Sequence, residues 1–149
     1  MNLIMKKILF KLIITTIFLN MFNIAYGELN YFENAKNLFK KEKFEESKFL
    51  LEKNIVYNPK HSSSYLYLAK IYKQNNNEEE QIKNLNTTLL IDPKNEEALY
   101  LLIDLYVGKS NFNKVDELLE KFSLICVKLC SKRKNIDEKI KNLEPKKES

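Results

Sequence analysis

Apolar residues recur at helical spacing along most of the chain after residue 30. In one stretch Tyr65, Leu68, Ala69 and Tyr72 follow one another at offsets of three, one and three residues, which places them on one face of a helix. Polar runs at 41–43, 74–77 and 109–111 interrupt the apolar pattern. Only two Gly and three Pro occur in 149 residues, so little material is available for sheet turns. The pattern predicts an all-α protein of helices joined by polar corners.

The pattern repeats along the chain. The tripeptide at 58–60, with Pro59, recurs at 92–94, with Pro93, after an interval of about 34 residues. Blocks that start at Glu28, Ser62 and Glu96 align columns of matching residues in the first helix of each pair and one in the second. These columns are Tyr31/Tyr65/Leu99, Asn34/Leu68/Leu102, Ala35/Ala69/Ile103, Leu38/Tyr72/Tyr106 and Leu51/Leu85/Leu119. Each block is therefore predicted to be one helical hairpin.

Helix ends are marked by proline and asparagine. Pro59 and Pro93 cannot continue a helix, so the second helix of blocks one and two is predicted to end before them. Asn77, followed by Glu80, predicts an N-cap and a helix start near Glu78. The third block has Val127 where the others have proline, which predicts a second helix that runs on toward Cys130.

These columns and the proline spacing resemble the tetratricopeptide repeat (TPR) family over residues 28–61, 62–95 and 96–127. The resemblance implies tandem antiparallel helix-turn-helix repeats, a short solenoid. Two columns depart from the family, which favours small residues there. They hold Ser47, Gln81 and Val115, and Asn54, Thr88 and Phe122. Bulkier side chains at these places are predicted to splay the hairpins and change the curvature.

Residues 128–149 are predicted to form a basic capping helix and a frayed tail. Asn135 and Glu138 would cap a helix that carries Ile136, Ile140 and Leu143 and stops at Pro145. A terminal repeat exposes one apolar side, which solenoids cover with an atypical polar helix.

Residues 1–27 have the pattern of a secretory signal peptide. Lys6, Lys7 and Lys11 precede an apolar stretch, and the segment ends in small residues up to Gly27. Cleavage after Gly27 would export the chain to the periplasm or the cell exterior and lower its formal charge from +5 to +2. The alternative is anchorage by an uncleaved N-terminal helix, although the apolar stretch is about half the ~20 residues that span a bilayer.

The sequence offers little for catalysis. The single histidine, His61, follows Pro59 in a corner and is predicted to be exposed and without a partner. Residues 78–80 are three glutamates that suit a solvated helix start better than a metal site. No glycine-rich phosphate loop or nucleophile motif is present. We therefore expect no enzymatic activity, no cofactor and no metal.

Cys126 and Cys130 leave three interpretations open. On a continuous helix they would share a face as two small core residues, which is the interpretation the sequence favours. A disulfide suits an exported protein but requires the helix to bend. Zinc would need four ligands, and only these two and a distant histidine exist.

The resemblance also implies a binding surface, because first helices line the groove of TPR proteins. The corresponding residues are Phe32, Lys36, Phe39, Leu66, Lys70, Lys73, Tyr100, Asp104 and Val107. Aromatic anchors beside lysines would suit a protein or peptide segment with an acidic side. Alternatively, Phe32 and Phe39 cover the edge of the first hairpin, and the lysines are merely solvated. Glu97 would repel a terminal carboxylate, so no carboxylate clamp is expected.

Together these features predict an exported TPR-type scaffold or adaptor for protein binding, such as an accessory subunit of an envelope-assembly or secretion complex. The alternative makes the tail the binding element. Residues 128–149 carry eight basic and four acidic side chains. This excess of positive charge would attract an anionic membrane surface or an anionic polymer. Nucleic acid is not expected as a partner, since export separates the two.

Overall fold

A computed structural model describes residues 10–15 and 30–143 of the chain. Residues 10–15 are helical, and seven helices follow from residue 31 on. These are α1 (Tyr31–Lys40), α2 (Phe44–Tyr57), α3 (Ser62–Gln74), α4 (Glu78–Ile91), α5 (Glu96–Gly108), α6 (Phe112–Ile125) and α7 (Lys132–Leu143). The described ranges contain no strand. This confirms the predicted all-α class of tandem helical hairpins with a C-terminal capping helix.

The predicted signal peptide lies mostly outside the described residues, as does its cleavage point. Among the helices that the structure does describe, none combines the length and the apolar character that a bilayer crossing requires. Cleavage and export stay predictions.

The chain divides into two compact units, residues 1–50 and 51–149. In the first unit α1 packs on the beginning of α2 through Ala35 and Ser47, both fully buried. The Ser47 hydroxyl donates a hydrogen bond of 2.8 Å to the carbonyl oxygen of Ala35. Ser47 belongs to a column that was predicted to splay the hairpins, yet its small side chain and satisfied hydroxyl let these two helices approach closely.

The second unit holds the main core, to which every helix from α3 to α7 contributes. Its members include Leu66, Ala69, Leu85, Leu102, Ile103, Leu119, Phe122 and Ile136. The columns Ala69/Ile103 and Leu85/Leu119 are thus buried as the repeat predicts. Thr88 and Phe122, from the column predicted to splay the hairpins, are fully buried. The effect of that column on curvature stays a prediction.

The corner between the first and second helix has the same backbone structure in all three blocks. Glu42, Asn76 and Ser110 hold the same position in successive repeats and have φ values of 58°, 52° and 52°. At the second corner the N–H of Asn77 donates to Tyr72 O (2.9 Å) and that of Asn76 to Lys73 O (3.2 Å). This pair of bonds is the Schellman motif, which places its left-handed residue just after the helix. The repeat period is therefore a backbone period as well as a side-chain period.

Asparagines begin three of the helices. The Asn77 side chain accepts a hydrogen bond from the N–H of Glu80 (3.2 Å), which confirms the predicted cap and the start of α4 at Glu78. Asn95 accepts from Ala98 (3.0 Å) and Asn111 from Lys114 (3.3 Å) in the same way. The caps of α5 and α6 were not predicted, although both are an asparagine directly before the first helical turn.

Two predicted boundaries at the C-terminal end are wrong. Helix α6 ends at Ile125 instead of running on to Cys130, because Cys126 leaves the helix with extended backbone angles. Helix α7 begins at Lys132, so Asn135 lies inside it and is not its cap. The turn before α7 is closed by the N–H of Lys132, which donates to the carbonyl oxygen of Leu129 (2.8 Å).

His61 is neither exposed nor without a partner, contrary to the prediction. Its Nδ1 lies 2.9 Å from the hydroxyl oxygen of Ser64, which also accepts a hydrogen bond of 2.9 Å from the Asn54 amide. The ring is half-buried, and this burial lowers the pKa of His61 below its ordinary value. The histidine thus joins the end of α2 to the start of α3.

We predict that Ser110→Gly stabilises the protein, by up to about 1 kcal/mol, because glycine adopts positive φ without a Cβ clash. Asn76→Gly should gain less, since asparagine tolerates this conformation better than serine. Urea denaturation would measure the gain as a higher midpoint with an unchanged m-value. A lower midpoint for Ser110→Gly than for Ser110→Ala would contradict the assignment of the corner.

We also predict that stability falls as the pH drops below about 6.5, the ordinary pKa of histidine. The folded protein holds His61 neutral at a lowered pKa, so the unfolded chain binds the proton more readily and gains relative stability in acid. The free energy of unfolding should therefore be lower near pH 5.5 than near pH 7.5. The chain has no other histidine, so His61→Gln should remove most of this difference. If His61→Gln loses as much stability between pH 7.5 and pH 5.5 as the wild type does, the pH dependence comes from another group and the prediction is wrong.

Candidate functional site

The predicted site residues of block one lie on α1, in the first compact unit. Phe32, Lys36 and Phe39 are all half-buried. Lys36 forms an ion pair of 2.8 Å with Glu33 and lies 5.7 Å from the centre of the Phe32 ring. The Phe39 ring packs edge-on against Phe44 of α2, at 5.4 Å between ring centres. Both rings therefore have intramolecular contacts, in line with the alternative that they cover the first hairpin.

Two residues of the predicted groove in blocks two and three are buried instead of lining a surface. Leu66 is 6% exposed and Val107 is 2% exposed, and both belong to the core. Val107 lies next to α7, whose Lys139 and Leu143 share a small cavity of about 260 Å³ with it. The capping helix thus occupies the place at which the end of α5 was expected to meet a partner.

The lysines predicted to make this face basic are bonded to acids of the next block. The Lys70 ammonium lies 2.6 Å from the Glu97 carboxylate and 4.6 Å from the centre of the Tyr67 ring. Lys73 lies 3.2 Å from Asp104. Each of these pairs joins α3 to α5. The first-helix face therefore presents paired charges, with Tyr100 half-buried among them.

Asp104 is the centre of this charge network. It accepts hydrogen bonds from Lys73 on α3 and from Lys139 on α7. Burial raises the pKa of Asp104, but the bonds from Lys139 and Lys73 outweigh the burial and leave the pKa below its ordinary value. The bond to Asp104 in turn raises the pKa of Lys139. Asp104 thus fastens the capping helix, which is a structural role, and binding at this face stays a prediction.

A larger opening lies elsewhere in the second unit, between the end of α4 and most of the length of α6. We call it the second-helix groove. It has a volume of about 490 Å³ and is lined mainly by Leu89, Leu90, Leu99, Leu118, Leu124 and Ile125. Leu99 is buried and forms the bottom of the groove, whereas Leu90 and Leu124 are both 81% exposed and form its rims. No predicted site residue lies in it.

The two exposed rim residues belong to a column that the sequence comparison could have shown. Val56, Leu90 and Leu124 occupy the same place in α2, α4 and α6, one repeat period apart. Val56 is 77% exposed, so all three are among the most exposed apolar side chains of the described residues. Sequence reasoning missed the column because an apolar residue in a repeat suggests core, and exposure cannot be read from periodicity alone.

The α6 side of the groove carries two lysines, Lys114 and Lys121. Both form ion pairs of 2.6 Å with Glu117, one turn away from each. Hydrogen bonds from Lys114 and then Lys121 lower the pKa of Glu117 to about 2. Two cations share one anion, so these three side chains together carry one net positive charge at the groove, whereas Asp116 and Glu120 of the same helix do not line it.

Beyond α6 the chain forms a loop closed by a disulfide between Cys126 and Cys130, whose Cα atoms are 5.2 Å apart. The favoured interpretation of two reduced core residues is wrong. Cys130 is exposed, and the helix has ended before Cys126. The disulfide is the second of the three interpretations, and the bend that it requires is present.

The Glu96 side chain holds this loop against the start of α5. Its carboxylate accepts hydrogen bonds from the N–H groups of Leu129 (2.8 Å) and Lys128 (2.9 Å). The bond from the Leu129 backbone is the main cause of a lowered pKa of Glu96. The carboxylate therefore stays charged and satisfies two backbone donors that lie outside the helices.

We predict that Glu96→Ala exposes this loop without unfolding the helices. The amide hydrogens of Lys128 and Leu129 should exchange with solvent clearly faster, because they lose the carboxylate that accepts from both. Amide exchange measured by NMR would test this. Glu97→Ala is the matched control, since Glu97 pairs with Lys70 and should leave both amides unchanged. Unchanged exchange in Glu96→Ala would contradict the contact.

Metal binding or acid-base chemistry would need particular groupings of the described side chains. In the described ranges no three side chains of His, Cys, Asp or Glu come together as a metal site would require. The lowered pKa values at Glu96, Asp104 and Glu117 all arise from structural hydrogen bonds. None of these carboxylates has the raised pKa of a general acid.

No family model matches the sequence, and no curated protein is similar to it in sequence. Solved structures do share its fold. The type III secretion chaperone SycD of Yersinia enterocolitica, solved with a peptide of the translocator YopD, matches with a TM-score of 0.67 at 13% identity, over 80% of this chain and 93% of that one.

Two further structures have the same architecture. One is the CopN-Scc3 complex, with a TM-score of 0.62 at 10% identity over 78% of this chain and 69% of the other. The other is MamA, with a TM-score of 0.55 at 19% identity over 77% and 59%. The described helices therefore have a TPR-type fold.

Proposed function

We propose that this chain is an exported scaffold that binds another protein through its helical hairpins. The observation that carries the proposal is the fold, a series of hairpins with the same backbone corner in every repeat. Similar folds occur in SycD, which was solved with a peptide bound, and in the CopN-Scc3 complex. Stacked repeats of this kind form extended surfaces suited to binding.

The side chains support a binding role over a catalytic one. Some ionisable groups with shifted pKa values fasten helices and loops to one another, as Asp104 and Glu96 do, and others pair within one helix, as Glu117 does. The second-helix groove, by contrast, leaves leucines exposed to water. Exposed apolar side chains that line a groove mark sites where another molecule binds.

Two features support export. Residues 1–27 have the pattern of a signal peptide, and Cys126 and Cys130 form a disulfide. Disulfides persist in oxidising compartments and are rare in the reducing cytosol. A place in an envelope-assembly or secretion complex, as an accessory subunit, would suit an exported protein with this fold.

The tail alternative has less support. Among the described residues Arg133 lies 3.8 Å from Asp137, and Lys139 pairs with Asp104. Part of the positive charge that would attract an anionic surface is therefore already neutralised. Residues 144–149 lie outside the described part of the chain.

The test is cross-linking of the tagged chain in the cells that encode it, followed by mass spectrometry. We expect one protein to be captured in near-equimolar amount and to bind the purified chain again in a defined ratio. The same spectra should show that the mature chain begins at Glu28, because the signal would be removed after Gly27.

Two results would contradict this proposal. A chain that is captured with no protein partner, and that instead binds anionic vesicles and releases them in high salt, would favour the tail alternative. A chain that retains Met1 and remains in the cytosol would refute export, although it would leave protein binding intact.

A further inference from the structure

The second-helix groove is shaped to receive apolar side chains. Leu90 of α4 and Leu124 of α6 form its two rims, and buried Leu99 and Leu102 of α5 lie beneath. Its volume of about 490 Å³ falls within the usual range of binding pockets, about 300 to 1,000 Å³. Because the bottom belongs to α5 and the rims to α4 and α6, an occupant would lie among three helices.

The exposed rims argue against a small molecule. Drug-sized ligands are usually buried over about 70% or more of their surface. Leu90 and Leu124 are each 81% exposed, so a small ligand at the bottom would leave most of the rim in water. An amphipathic helix laid along the groove would cover both leucines at once, in the manner of known helix-in-groove complexes.

The charge of the rim indicates the flank of that helix. Lys114 and Lys121 lie on α6, one on each side of Leu118, and share a single carboxylate, that of Glu117. The opposite side contributes Asn86, which is uncharged. Aspartate or glutamate beside the apolar stripe of an incoming helix would neutralise the remaining positive charge on the α6 side.

The same charge argues against a second copy of the chain as the occupant. A two-fold symmetric contact places the same patch of each copy against the other. Two such grooves face to face would bring four lysines together with only two glutamates. Like charges at an interface oppose association, so a different protein is the better match.

From these contacts we infer that the second-helix groove binds an amphipathic helix of a partner protein, with its apolar stripe on Leu90 and Leu124 and an acidic flank toward Lys114 and Lys121. This inference rests on the proposed scaffold function and adds the place and the chemistry of the partner. It moves the binding surface from the first-helix face to the second helices.

The test uses two stapled helical peptides of about 14 residues, roughly 21 Å long. They share one leucine stripe, and the flanking residues are glutamate in one and lysine in the other. The chain is expressed with all of residues 1–149, and dissociation constants are measured by fluorescence polarisation. We expect the glutamate peptide to bind at least tenfold more tightly than the lysine peptide at low salt, and the ratio to shrink at high salt.

Variants at the rims test the apolar contact. Leu90→Ser combined with Leu124→Ser should weaken binding of the glutamate peptide tenfold or more. Val56→Ser is the matched control, because Val56 holds the same place in α2, is similarly exposed and lies outside the groove. It should change binding less than twofold. All three positions are exposed, so circular dichroism should show an intact fold.

Variants of the lysines test the charge. Lys114→Ala combined with Lys121→Ala should abolish or reverse the preference for the glutamate peptide, because Glu117 then keeps its negative charge without either cation. Lys83→Ala is the control, since Lys83 forms a similar pair with Glu80 on α4 but does not line the groove. It should leave the preference unchanged.

Three results would overturn the inference. The first is that neither peptide binds at millimolar concentration. The second is that the wild-type chain and every variant bind both peptides equally. The third is that the chain self-associates and the double leucine variant abolishes this self-association. Repeating the cellular cross-linking with that variant separates this inference from the proposed function. A partner that the variant still captures would refute the groove alone, whereas a wild-type chain that captures none would refute the scaffold.

Discussion

The second unit depends on one repeated arrangement, in which a small or branched residue of the first helix and a leucine of the second helix are buried in the same core. Ala69 and Ile103 on the first helices, and Leu85 and Leu119 on the second, are almost completely buried in one core. The Schellman corners at Asn76 and Ser110 set the direction in which each second helix returns. The corner and these buried residues share the repeat period, so both hairpins of the second unit have the same corner and the same buried columns.

In these repeats the residues that stabilise the fold differ from the residues that remain exposed for a partner. On the first-helix face the lysines and acids of successive blocks bond to one another, and Asp104 adds the capping helix. These ion pairs are partly exposed, so each contributes little stability alone, but they leave few unsatisfied charges for recognition. On the second helices Val56, Leu90 and Leu124 recur at a position that is exposed to water, so these apolar side chains are not part of the core.

The sequence was sufficient for the fold because the signals of hairpins are local. Proline at 59 and 93, the cap at Asn77 and the buried columns each follow from backbone chemistry and periodicity. The loop at Cys126 and the partner of His61 depended instead on contacts between separate elements, such as Glu96 with Leu129. Such contacts leave no periodic trace in a single sequence.

The candidate site was harder to predict for a related reason. A resemblance locates the first helices but cannot show that Lys70 and Lys73 are already paired, or that Leu66 and Val107 are buried. The column of Val56, Leu90 and Leu124 recurs at the repeat period of the sequence, but only the structure shows that these residues are exposed. The candidate site could therefore be located only from the ion pairs and the side-chain burial that the structure shows.

The most direct measurement is methyl NMR of the chain, with leucine methyl groups assigned, during titration with the captured partner. We expect the signals of Leu90 and Leu124 to shift most strongly and those of buried Leu66, on the first-helix side, to stay nearly unchanged. Shifts confined to residues near Tyr67 and Tyr100, with Leu90 and Leu124 unaffected, would contradict it and return the binding surface to the first helices.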